Sequence, residues 1–439
     1  MKRIKVQFTS LCIIALGAII RLIYVLNTSV YERSHDVGAY SALTDSIVNP
    51  GHLGYIEYIA KFNHLPDFDP FTIFSYYHPP LHHILSAIVV KISSFFTDSV
   101  DACFENIQLL VLLFSVITLI FSYKILKEVS KRDWQIILGL LLITFHPSMI
   151  LMCGYVNNDM LTVMFETIGI YYTIKWMKNY QFKYLIFMAL SLGLGMCTKI
   201  SAIVIAVPMG VLMLMHLIDA IRFARNDEKM KNETSDSENK SALTKCIREY
   251  LVFAVISIGL GLSWTVRNFI LFGTKPGIAS ATPEDIKYMG NYSVLTRLGI
   301  PMNWELEYPF HNEYGSVSDN AWLIMFKTSI FGEIRPDISS FAILLCRIAL
   351  IATVVLGLLL TFITIYTAMK DIRQGNRKLG ILVLSGWCAV LLTYMVFVIK
   401  YPYTCSCDFR YIIISLLFGA IALSRLKELP FKSKHSEQN

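Results

Sequence analysis

Long apolar runs broken by short polar segments set the pattern of this chain. Runs near the roughly 20 residues that cross a bilayer fall at about 8–26, 105–126, 135–153, 160–177, 184–198, 201–220, 250–271, 341–369, 379–399 and 411–425. The pattern predicts ten helices, with the fifth and sixth short and joined tightly around Thr198, Lys199 and Ile200. Two long segments, 27–104 and 272–340, contrast with short connections at 154–159, 198–200 and 400–410. The resulting division is a first span 1–26, a large loop 27–104, spans two to seven over 105–271 with a linker 221–248, a second large loop 272–340, spans eight to ten over 341–425 and a tail 426–439. Within the linker, "NDEKMKNETSDSENKSALTK" is polar and rich in both charges, the composition of a solvated connector.

Basic residues orient the helices. Lys2, Arg3 and Lys5 precede the first run, Lys127, Lys131 and Arg132 follow the second, and Lys175, Lys178 and Lys183 follow the fourth. The alternation continues through 222–248, 370–378 and 425–434, which predicts that both termini and every second connection are cytoplasmic. The apolar run after Lys5 lacks a small-residue cleavage site and reads as a retained helix, not a removed signal. Composition agrees: 55% of the 439 residues are hydrophobic and 16% charged, against about a quarter charged in soluble domains. The net charge of +7 follows from this topology and calls for no nucleic acid. Nine scattered cysteines give no disulfide scaffold, and Cys405 and Cys407 are left open between thiols and pairing with Cys103 or another chain.

Polar groups at the ends of the runs change the picture. "SHDVGAY" supplies His35 and Asp36, "YVNND" supplies Asn157, Asn158 and Asp159, "CTKIS" supplies Lys199, "SWTVRN" supplies Arg267, and "CDFRY" supplies Asp408 and Arg410. In the predicted topology all lie on the outer face, and three of them break the basic-inside bias. Bland readings exist: Arg267 and Arg410 snorkel to headgroups, and Asp36 and Asp159 cap helices. Lys199 has less room for one, because a turn between two short apolar segments would leave its ammonium against lipid. Three cations beside carboxylates at headgroup depth suit a polyprenyl phosphate, with a carboxylate as general base for an incoming hydroxyl.

"YYHPPLHH" (76–83) adds Tyr77, His78 and His82. The prolines suit the first turn of a helix running from Leu81, lying along the outer membrane surface with the histidines lining a pocket beneath. His78 and His82 have the spacing of a zinc pair, but a helix starting between them and the lack of a third ligand in sequence speak against a metal site.

The ordered set "SHDVGAYSAL", "HPPLHH", "HPSMILMCGYVNNDML", "GLGMCTKISA", "SWTVRNFILFG" and a final "RY" resembles the GT-C glycosyltransferases, in particular the branch related to protein O-mannosyltransferases, aminoarabinose transferases and RgtA-to-D-like transferases. That resemblance implies an all-α polytopic membrane fold and an inverting transfer of a sugar from a polyprenyl-phosphate donor to a hydroxyl of a glycan, lipid or protein acceptor. It implies Asp36 as general base, Lys199, Arg267 and Arg410 on the lipid phosphate, and His35, Tyr77, His78, His82, Asn158 and Asp159 lining the pocket. A divalent cation is left open as a cofactor. Trp304, Tyr308, Tyr314 and Trp322 are available to stack on sugar rings. The implied location is the plasma membrane of a bacterium or the endoplasmic reticulum of a eukaryote. Two other classes are weighed: a secondary transporter, which would need charges at mid-span and paired broken helices, and a histidine-box metalloenzyme, which would need several His clusters on one side where this chain has one plus the isolated His146 and His311.

Overall fold

The structure, a computed structural model, describes residues 2–32, 35, 48–230, 233–274, 293–301, 308–311, 320–333, 336–403 and 405–426. The described residues form helices and turns: α1 (Lys2–Asn27), α2 (Gly51–Phe62), α3 (Leu81–Ser93), α4 (Val100–Val129), α5 (Asp133–Phe145), α6 (Pro147–Leu151), α7 (Asp159–Asn179), α8 (Phe182–Thr198), α9 (Ala206–Met230), α10 (Glu233–Gly261), α11 (Ser263–Phe272), α12 (Val294–Leu298), α13 (Ala321–Phe331), α14 (Ser340–Arg373), α15 (Arg377–Lys400) and α16 (Ser415–Leu423).

Local chemistry sets the ends. Ser99, Asn320 and Ser339 accept from the backbone N–H three residues on, at 3.3, 3.1 and 3.4 Å, and so cap α4, α13 and α14. α4 opens with Asp101 and closes with Lys127, matching the helix dipole. Tyr180, in the left-handed region at φ 51°, turns α7 into α8.

Ten spans were expected; six helices are long and apolar enough to cross a membrane, and eight if each of two bent pairs counts as one span. The bends are 61° between α5 and the α6 segment and 53° between α10 and α11. The two expected spans outside that count are α7, which carries Asp159, Glu166, Lys175 and Lys178, and α8, which has 17 residues. These two pack along each other in the centre of the molecule, against α4 and α10.

Pro147 has no N–H to donate into α5 and fits the first position of a new helix, which explains the first bend. The carbonyl of Thr144 that the break frees accepts instead from the Arg21 guanidinium at 2.9 Å. Arg21 is fully buried and donates also to Ser115 Oγ (2.9 Å) and Gly17 O (3.1 Å), so a charged residue in the first span is part of the scaffold. The core joins Leu119, Trp176, Leu382 and Phe418. α15 and α16 approach so closely that a Cβ on Gly386 would sit 2.3 Å from the Phe418 ring. No disulfide links the nine cysteines among the described residues.

The molecule has two chemically distinct ends. α7 runs from Asp159 to Lys178, roughly 30 Å at 1.5 Å per residue. At its far end Lys175 and Lys178 pair with Glu128, the first at 3.0 Å.

Candidate functional site

The near end of α7 is built by a break in the neighbouring chain. Between α8 and α9 the backbone is extended at Lys199 (φ −152°, ψ 127°) and then tightens into a 3-10 turn over Ile200–Ile205. That interruption lets the Lys199 ammonium leave the α8 axis and hydrogen-bond Asp159 Oδ1. Arg410, in a second 3-10 turn (Phe409–Ile412), brings its Nε to 3.8 Å from Asp159 Oδ2. Its backbone N–H is held by Asp408 Oδ1 at 2.8 Å. The Tyr411 ring lies under both cations, 4.9 Å from Lys199 Nζ and 5.3 Å from the Arg410 guanidinium carbon. The three charged side chains are only 14% (Lys199), 7% (Asp159) and 8% (Arg410) exposed, so Arg410 is directed into the protein and does not snorkel.

The turn leading to Asp159 is fixed from several sides. Asn157 Oδ1 accepts from the Asp159 N–H at 2.9 Å, and Asn158 donates to Thr198 O at 2.9 Å, beside Lys199. The Val156 N–H donates to His35 O at 2.8 Å. His35 is buried against Tyr24, whose hydroxyl is 3.1 Å from Nε2, and burial pushes its pKa down to about 4. His35 therefore supports the turn that leads to Asp159.

A wall of histidines closes one side. α3 begins at Leu81 with Pro80 as its cap residue, so both prolines precede the helix and His82 and His83 sit in its first turn. His52, from α2, stacks on His78 and His83 with ring centres 5.1 and 5.3 Å apart, and its Nδ1 is 3.0 Å from His83 Nε2. Tyr55 stacks on His83 at 4.3 Å. Burial first, then His52, then the charges of Lys199 and Arg410, hold His78 well below the usual imidazole range, which places the stack beside the two cations. Burial and His52 push His82 down to about 3, opposed by a Val156 backbone contact and the Asp159 charge. Tyr77 packs on His78 at 4.5 Å, and its carbonyl accepts from Trp264 Nε1 at 3.1 Å.

Tyr77, His78, His82, Asn158, Asp159, Lys199 and Arg410 are thus brought together. Arg267 has other partners: its guanidinium donates to Pro66 O at 2.6 Å and Asn268 Oδ1 at 2.9 Å and lies 5.0 Å over Trp264, tying α11 to the 51–78 segment. Asp36, Trp304 and Tyr314 lie outside the described residues. Trp322 donates to Leu298 O at 3.0 Å and packs near Tyr394, and Tyr308 packs on Phe310 at 5.6 Å. Among the described residues no three His, Cys, Asp or Glu side chains converge as a metal site would require.

Sequence reasoning missed His52, which sits far from the 76–83 cluster along the chain and carries no spacing signal. It also missed Glu166, 5% exposed and two turns along α7 from Asp159, whose carboxyl lies within electrostatic reach of Lys199. The seven-residue interval on an apolar helix was the available signal. Tyr411 was in the "RY" motif but carried no role.

Residues 77–225 match the family described as dolichyl-phosphate-mannose-protein mannosyltransferase, which bears out the resemblance read from the sequence over that stretch. The matched part contains Tyr77, His78, His82, Asn158, Asp159 and Lys199, whereas Asp36, Arg267 and Arg410 lie beyond it. No curated protein matches the chain. Similar solved structures include the archaeal oligosaccharyltransferase AglB from Archaeoglobus fulgidus in complex with an inhibitory peptide and a dolichol-phosphate (11% identity, 95% of this chain, 50% of that one, TM-score 0.46). Another is the Archaeoglobus fulgidus oligosaccharyltransferase tethered with an acceptor peptide containing the NVT sequon (12% identity, 94% of this chain, 49% of that one, TM-score 0.47). The chain spans about half the length of these structures.

Proposed function

We propose that this chain is a membrane glycosyltransferase that moves a sugar from a polyprenyl-phosphate donor to an acceptor hydroxyl at the end of the molecule where Asp159 lies. The carrying observation is the convergence of Lys199 and Arg410 on one buried carboxylate, beside a wall of neutral histidines. Guanidinium and ammonium groups are the usual clamps for phosphate, and in an apolar setting their attraction for it is strong. The family match over 77–225 supports a lipid-phosphate-linked donor.

In this reading the donor phosphate takes the place of the Asp159 carboxylate against Lys199 and Arg410. The histidine stack and Tyr77 offer flat, uncharged surface to the sugar. Asp36 removes the proton from the acceptor hydroxyl as its oxygen bonds to the anomeric carbon, and the carbon–oxygen bond to phosphate breaks. The leaving phosphate keeps the electron pair, held by the two cations, and attack from the opposite face inverts the configuration. His35 anchors the start of the Asp36 segment to the turn that carries Asn158 and Asp159. Arg267 serves better as a brace for α11 than as a clamp.

The test is transfer by the purified chain from a panel of polyprenyl-phosphate sugars, read by mass spectrometry of lipid-linked sugars and glycans. Asp36→Asn should fold, bind donor and lose at least about a hundredfold in rate, the scale of a general base. Lys199→Ala and Arg410→Ala should each weaken donor binding by roughly 1.5–3 kcal/mol. Unchanged donor use in both cation variants would overturn the reading.

A further inference from the structure

At the end of the molecule opposite Asp159, an open cleft of about 70 Å³ is lined by Lys131, Gln135, Thr367, Lys370, Asp371 and Arg425, together with polar groups of the turn after α14. Its floor is rigid. Arg425 binds Asp371 in a fork, Nε to Oδ2 at 2.9 Å and Nη2 to Oδ1 at 2.8 Å, and donates also to Val129 O at 2.8 Å. Gln135 ties Leu426 O at 2.7 Å and receives the backbone N–H groups of Lys131 and Arg132 on its Oε1. Val129 follows Glu128, which pairs with Lys175 and Lys178, so the cleft belongs to the basic end.

Its charge is unbalanced. The fork neutralises the one lining carboxylate, Asp371, with Arg425. Lys131 and Lys370 remain on the rim with no carboxylate within ion-pair distance among the described residues. Two uncompensated ammonium groups over a floor rich in hydrogen-bonding side chains would be expected to take a phosphate. An apolar stripe adjoins them: Phe362, Tyr366 and Met369 on α14 are exposed at helical spacing below Lys370, whose Nζ lies 5.6 Å over the Tyr366 ring. A phosphate with acyl chains beside it is a phospholipid.

We propose that this cleft binds the headgroup phosphate of an anionic phospholipid in the leaflet at the basic end, with Lys131 and Lys370 on the phosphate and the acyl chains along Phe362, Tyr366 and Met369. The site is independent of the transfer chemistry at the other end. Purified full-length protein in detergent would be titrated with dioleoylphosphatidylglycerol, dioleoylphosphatidylcholine or inorganic phosphate, and retained lipid counted by native mass spectrometry. The native chain should retain phosphatidylglycerol at least about tenfold more tightly than phosphatidylcholine, as expected for two lysines at an anionic surface. The Lys131→Gln/Lys370→Gln variant should lose that preference and Lys131→Arg/Lys370→Arg should keep it. Equal retention of both lipids by the native chain, or an undiminished preference in the glutamine variant, overturns the proposal. Displacement of phosphatidylglycerol by inorganic phosphate at matching concentration assigns the cleft to a free anion and overturns it too.

Discussion

Asp159 is the carboxylate that two cations share, and the geometry ranks the cost of removing each partner. Without its carboxylate, Lys199 and Arg410 lose the anion they share above the Tyr411 ring. Asp159→Ala should therefore cost about 3 kcal/mol of stability. Lys199→Ala leaves Asp159 within 3.8 Å of Arg410 and should cost less. Denaturant unfolding of the two variants checks the order, and the reverse order would refute this account of the cluster. The buried histidines make a second prediction. Their folded pKa values lie below the free value near 6.5, so between the two values the unfolded chain binds more protons and stability is lost as pH falls. For His35 and His82, at about 4 and about 3, that loss begins below about 6.5 and reaches roughly 1.4 kcal/mol per pH unit for each. Thermal unfolding at pH 7.5 and 5 should show it, and His82→Gln should flatten the slope.

The elements around the site are mostly interrupted helices. The expected span 135–153 is broken at His146–Pro147, and the expected span 250–271 at Leu262. A hydropathy run reports apolar content, not straightness, so both read as single spans from sequence. Proline was the visible signal in the first; the second carries none, although Gly261 lets α10 close on Met196, 2.8 Å from where a Cβ would be. The segment after the first break carries Gly154, where a Cβ would fall 2.6 Å from His35 Nε2. Since His35 is buried and bonded to Tyr24, its ring has little freedom to retreat. Gly154→Ala should destabilise by about 1–3 kcal/mol, the range for overpacking, and a variant that unfolds at the native temperature would show that His35 is loosely held.

At the scale of the whole molecule, alternating basic connections predict that the Asp159 end faces outward. Cysteines introduced at Lys61 and Ile300 should react with an impermeant reagent from outside, and one at Ser235 only from inside; labelling at Lys61 from the cytoplasm would invert the site. The sequence by itself determined that the chain is an apolar, many-helix membrane protein, because transfer of some twenty apolar residues outweighs any local preference. It also determined which polar groups are costly enough at a membrane edge to need partners, so Asp159, Lys199 and Arg410 were legible as candidates. What only the tertiary structure decided is which of them meet. Arg267 and Arg410 look alike along the chain, each a lone arginine at the end of an apolar run. Yet one braces Pro66 while the other reaches Asp159, because the bend after Leu262 and the 3-10 turn at Phe409–Ile412 aim the two side chains to different places. Such directions depend on contacts between residues as far apart in sequence as Asp159 and Arg410, and no local pattern records them.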